Sequence, residues 1–84
     1  MQTDNLIAEG DYMSANYILD SLIGIDTTVG HFYFQRAFCN TQFMLHEAAI
    51  KDYKRSYDLS YKQGTCNEMI KFNEMLLEAP RDAL

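Results

Sequence analysis

The chain has 84 residues, 48 % of them apolar and 23 % charged, with a formal charge of −5 at pH 7. This is the composition of one small globular domain, and no apolar run approaches the length of a membrane span. Asp4, Glu9, Asp11, Asp20 and Asp26 precede Arg36 with no Lys or Arg among them, whereas seven acids and seven bases follow from Arg36 onward. An acidic surface of this kind argues against nonspecific binding to nucleic acid or to anionic membranes, both of which need a basic face.

The opening stretch MQTDNLIAEG has neither a basic start nor an apolar core, so it is not read as a signal peptide, and a cytoplasmic location is expected. A short helix is predicted over residues 4–9, stopping near Gly10. A second, over 11–23, brings Ala15, Leu19 and Leu22 onto one face at helical spacing. GIDTTVG connects it to a third, with Asp26, Thr27 or Thr28 available as cap, running to about residue 44. The fourth covers 46–61; Glu47 and Lys51, and Asp58 and Lys62, are four apart, the latter two on its solvent side. After KQGT a fifth runs from residue 65 or 66 to 78, and Pro80 with RDAL forms a loose tail.

The chain matches itself at an offset of 34 residues. Ala15 falls on Ala49, Leu19 on Tyr53, Leu22 on Ser56, Ile25 on Leu59 and Gly30 on Gly64. Paired helices at this period resemble the tetratricopeptide repeat. HFYFQRAFCNTQFMLHEAAIKDYKRSYDLS looks like one complete unit of that family. Tyr33 stands at its aromatic position and Ala37 at the small position of its first helix. Ala49, Tyr53 and Ser56 stand at the small, aromatic and second small positions of its second helix. Gly10, Tyr12 and Ala15 mark the second half of a preceding unit. Asn40, Met44, His46 and Tyr61 depart from the family's aromatic, glycine, turn tyrosine and closing proline. The resemblance implies an all-α, short stack of antiparallel helix pairs, about five helices in all. Its domain would cover residues 1–79, as a partial unit 1–29, a complete unit 30–63 and a terminal helix 64–79, with 80–84 as tail.

Little in the sequence points to chemistry. HEAAI begins like a zinc-protease motif, but Ile50 stands where the second histidine is required. His31 and His46 lack a third ligand at helical spacing, and the four glycines never form a phosphate-cradling loop. Cys39 and Cys66 form no CxxC and lie within helical patterns, where a free thiol behaves as a small buried hydrophobe. The expectation is a protein that is not an enzyme and carries no cofactor or metal.

What remains is the groove that the resemblance implies along the first helices of successive units. It would be lined by Phe34, Phe38, Thr41 and Gln42 from the third helix and by Glu68, Met69, Phe72 and Met75 from the fifth, with Asp4 and Ile7 at its start. No Lys or Arg occupies those positions, so a carboxylate clamp is not expected, and the groove suits an apolar peptide or helix of another protein. The same Phe/Met stripe at helical spacing would equally serve as core. The expected function is therefore a protein–protein interaction module, of chaperone or adaptor type. Two alternatives stay open: an acidic inhibitor that covers a basic site through Asp4, Glu9, Asp11, Asp20 and Asp26, and a homo-oligomeric assembly subunit. A stack this short leaves end faces uncovered, so self-association is expected.

Overall fold

In the computed structural model, which describes residues 2–78, five helices follow one another: α1 Gln2–Ala8, α2 Tyr12–Ile25, α3 Gly30–Gln42, α4 His46–Asp58 and α5 Gln63–Glu78. There is no strand among the described residues, so the architecture is all-α with the expected number of helices. The tail 80–84 lies outside the described residues.

Three of the helices end in the same way. After α1 the Gly10 N–H donates to Ile7 O at 3.0 Å and the Asp11 N–H to Leu6 O at 2.8 Å. This pair of bonds is the Schellman stop, which requires a left-handed residue, and Gly10 supplies it at φ 80°. Met44 does the same for α3 at φ 61°, with Met44 N–H to Thr41 O and Leu45 N–H to Asn40 O, and Ser60 does so for α4, also at φ 61°. A Cβ in that conformation costs roughly 1–2 kcal/mol, which is why glycine is usual there. At the other end of the first turn, Asp11 caps α2 by accepting the Ser14 N–H at 3.2 Å.

Several boundaries differ from the sequence reading. Asp26, Thr27 and Thr28 do not cap α3, whose N-cap is Val29 without a side-chain bond. The Asp26 carboxylate instead accepts the Thr28 hydroxyl at 2.6 Å and the Thr28 N–H at 2.9 Å, closing a local turn that holds its pKa below the usual value. Helix α4 ends at Asp58, short of residue 61, so Lys62 lies beyond it with its ammonium 5.3 Å above the Phe34 ring and 5.6 Å above Tyr61. Neither Glu47–Lys51 nor Asp58–Lys62 forms an ion pair.

The offset of 34 reappears in the coordinates. Helices α1 and α3 end at Ala8 and Gln42, and α2 and α4 begin at Tyr12 and His46. Thr3 and Ala37, Ala15 and Ala49, Leu19 and Tyr53, and Cys39 and Asn73 are each 34 apart, and every one of them is fully buried. Successive helices pack across short turns, which makes neighbours antiparallel. The interior accordingly forms two units. Ala15, Leu19 and Cys39 are flanked by Leu6, Ile7, Tyr12 and Phe32. Ala37, Ala49, Tyr53 and Cys66 are flanked by Phe34, Tyr57, Met69 and Ile70. The alanines let helix backbones approach closely, and the large residue a turn later fills the space beside them.

Polar side chains join the helices as well, one set between α1 and α3 and another between α3 and its two neighbours in sequence. Thr3 donates to Gln35 Oε1 at 2.9 Å and Gln35 Nε2 donates to Asp4, fastening α1 to α3. Arg36 on α3 donates Nε to Asp52 Oδ2 at 2.8 Å and Nη2 to Asp52 Oδ1 at 2.9 Å, a two-pronged pair with α4. Its Nη1 reaches Asp20 Oδ1 on α2 at 2.9 Å, and Asn40 Nδ2 also donates to Asp52 at 3.2 Å. These acids hold the guanidinium pKa above its already high value.

Two measurements follow from this packing. A Cβ on Gly30 would stand 2.6 Å from the Tyr61 Cβ and 3.3 Å from the Leu59 Cβ, whereas nothing lies within 4 Å of one on Gly64. Gly30→Ala is therefore expected to destabilise by about 1–3 kcal/mol, and Gly64→Ala, in an open helical position, to stabilise by up to about 1 kcal/mol. In urea titrations, Asp52→Ala should cost about 2–3 kcal/mol, because it strands a guanidinium whose side chain is only 24 % exposed. Asp20→Ala removes a partner that is 62 % exposed and should cost less than about 1 kcal/mol.

Candidate functional site

The strip named from the sequence divides in two. Phe34 lies edge-on to Tyr53 at 5.4 Å and to Tyr61 at 5.5 Å, and Met69 packs against the same core unit. Phe38 lies edge-on to Tyr12 at 6.0 Å. The Thr41 hydroxyl is spent on Ala37 O at 3.0 Å and approaches Asn73 Oδ1 at 3.3 Å. Gln42 is exposed, as are Phe72 at 42 % and Met75 at 61 %. The first four are thus committed to internal contacts, and the open apolar surface lies at the α5 end. Leu76 and Leu77 extend it, and Met44 and Leu45 lie exposed in the α3–α4 turn. Leu45, Leu76 and Leu77 did not stand out in the sequence because they sit at helix ends, where helical periodicity gives no inside and outside.

A comparison of the two helical pairs explains an opening at this end. In the first, the Tyr12 ring meets Phe38 at 6.0 Å and Phe43 at 6.4 Å, and so occupies the space beside the turn. Thirty-four residues later the corresponding positions hold His46, Phe72 and Leu77. Imidazole and leucine are smaller than the rings they replace, and a hollow of about 390 Å³ is left, lined by Met44, Leu45, His46, Glu47, Ala48 and Leu77. The cap changes as well, since Leu45 at the α4 N-cap makes no side-chain bond where Asp11 makes one for α2. His46 is held by Nδ1, 2.8 Å from Asn73 Oδ1, while Asn73 Nδ2 donates to Met69 O at 2.8 Å.

The five N-terminal acids are all exposed, and four of them have partners within the chain. Asp20 binds Arg36, Asp4 meets Gln35 and lies 3.9 Å from His31 Nε2, Asp11 caps α2, and Asp26 closes on Thr28; Glu9 is exposed. Arg36, Lys51, Lys54 and Arg55 line a second hollow of about 310 Å³, together with Tyr33, Asp52 and Asp58. Arg55 stacks 5.7 Å above the Tyr33 ring, and the two aspartates offset half of the positive charge of the four bases.

No group of His, Cys, Asp or Glu among the described residues is placed to hold a metal. Both cysteines are free and buried. Burial pushes the Cys39 thiol from an ordinary 9.0 up to about 11, the opposite of a reactive thiolate. Tyr53 is likewise pushed up to about 12 by burial. No helix among the described residues is long and apolar enough to cross a membrane. Comparison of the chain with protein families, with curated proteins and with solved structures returned no match.

The two raised pKa values dictate an alkaline limit. Above pH 9 the unfolded chain loses these protons more readily than the folded one, so stability that is complete below pH 9 is lost as pH rises towards 12. Urea midpoints followed from pH 8 upward should therefore fall, and Cys39→Ala should fall less steeply than the parent through the range from 9 to 11.

Proposed function

We propose that the chain is a non-enzymatic, tetratricopeptide-like interaction module that holds an apolar segment of another protein. The observation that carries this reading is the uncovered apolar surface at one end of the stack: Phe72, Met75, Leu76 and Leu77 on α5, beside Met44 and Leu45, are between 40 % and 76 % exposed. Contiguous exposed apolar surface of this sort marks a contact site more often than a free face. The recurrence of helix boundaries and buried positions at 34 residues supports the repeat assignment, and repeats bury their faces against neighbours. In this reading the partner's segment takes the place of the next helix. A cytoplasmic location accords with two buried free thiols.

Of the other readings, the homo-oligomeric subunit draws on the same end surface, with a second copy as the covering partner. The inhibitor reading draws on Asp4, Glu9, Asp11, Asp20 and Asp26, all of them exposed, with Asp20 shared with Arg36.

Phe72→Glu tests the proposal, since Phe72 is 42 % exposed and a carboxylate there keeps its hydration. The variant is expected to keep its helicity and melting temperature and to lose about tenfold or more in affinity for the co-purifying protein. Light scattering over a tenfold dilution of the pure protein separates a second copy from a different partner. Unchanged capture by the variant would overturn the docking role of α5.

A further inference from the structure

We propose that the hollow beside α4 receives a tyrosine or tryptophan side chain carried on a basic segment of the partner. The inference rests on the docking reading above and specifies what docks.

Shape supports an aromatic ring. The hollow measures about 390 Å³ and is walled by the apolar Met44, Leu45, Ala48 and Leu77. One helical pair earlier the positions of His46 and Leu77 are held by Tyr12 and Phe43, whose rings lie edge-on at 6.4 Å. A turn of this kind thus accommodates aromatic rings.

Polarity narrows the ring to one with a donor. Asn73 Nδ2 is committed to Met69 O, so its Oδ1 accepts, and His46 Nδ1 must carry the proton it donates there. In the neutral ring this leaves Nε2 as an acceptor. A phenol O–H or an indole N–H satisfies it, whereas a phenylalanine ring brings no donor.

Charge selects the flanks. Among the described residues, Glu47 is the charged side chain that lines the hollow, and no Lys or Arg of those residues does so. Glu74 and Glu78 bracket Leu77 on α5, three residues before it and one after. Lys51, a turn along α4 from Glu47, lines the separate hollow beside Tyr33. Lysine or arginine next to the anchor ring therefore meets complementary charge, and acidic neighbours would be repelled.

The probe is a synthetic peptide of about ten residues with one Trp between Lys and Arg, titrated into isotope-labelled protein and followed by NMR. Expected are shifts centred on His46, Ala48 and Leu77, with affinity reduced about tenfold or more when the Trp is replaced by Ala. Replacing the flanking bases by Glu should weaken binding further, and added salt should weaken the basic peptide alone. Leu77→Phe, which restores the ring size found at Phe43, should occlude the site and lower affinity about tenfold at unchanged melting temperature. Ala48→Phe, at an exposed position, does the same should Leu77→Phe disturb the fold. The proposal is overturned if the acid-flanked peptide binds as well as the basic one. It is overturned equally if shifts centre on Phe72 and Met75, or if none occur at millimolar peptide. The docking reading fails separately, by the Phe72→Glu comparison with the co-purifying protein.

Discussion

Arg36 is the first base in the chain, and three helices depend on where it lies. Its guanidinium sits in α3, grips Asp52 of α4 with two prongs and reaches Asp20 of α2 with a third nitrogen. Small apolar clusters can slide or rotate against one another at little cost, but a planar fork of donors accepts its carboxylates in one geometry only. Asp52 is 6 % exposed and also accepts Asn40, so the register between α3 and α4 is set by a pair that cannot be reached by water from most sides. Such pairs contribute little net stability, because desolvation offsets the attraction. Their effect here is to choose one alignment of helices over its neighbours.

That alignment brings out the difference between the two helical pairs. Both are built on the same steps: a left-handed stop, at Gly10 or Met44, then a second helix whose alanine and large residue, Ala15 with Leu19 or Ala49 with Tyr53, face inward. The first pair is closed by an aspartate cap and a tyrosine between phenylalanines. The second has leucine and histidine at those places, and the resulting hollow adjoins the apolar end of α5. A departure from the repeat at a few positions is thus enough to turn a packed turn into an opening.

The repeat was legible because it is written in residue size. Ala15 and Ala49 at matching places, each with a large residue four later, carry both helix pairing and burial, and the five helices follow from them. The division of the Phe/Met strip was not legible. Phe34, Phe38, Phe72 and Met69 share one periodicity, and only the neighbouring helices decide that Phe34 meets Tyr53 while Phe72 faces outward. The local partners of the acids were not legible either. All five N-terminal acids are exposed, but that Asp26 answers Thr28 two residues away and Asp20 answers Arg36 sixteen residues on could not be read from the charge distribution. A count of charges says nothing about such pairings. Lys62 illustrates the same limit, since the stop at Ser60 carries it off α4 and over the Phe34 ring.

Packing between successive helices has a consequence for how the molecule opens. Helices α3 and α4 have a packed neighbour on each side, whereas α1 and α5 stand at the two ends of the stack. Opening energies in a linear array are set by nearest neighbours, so the ends unzip at lower cost than the middle. Helix α1 has only seven residues and is fastened through Thr3, Asp4 and Gln35. Amide protons there are expected to exchange through detachment of α1 alone, and those of α3 and α4 through wider opening of the stack. A segment that covers α5 would slow exchange at that end of the chain and leave α1 as the loose one, so that occupancy can be read from the asymmetry between the two termini.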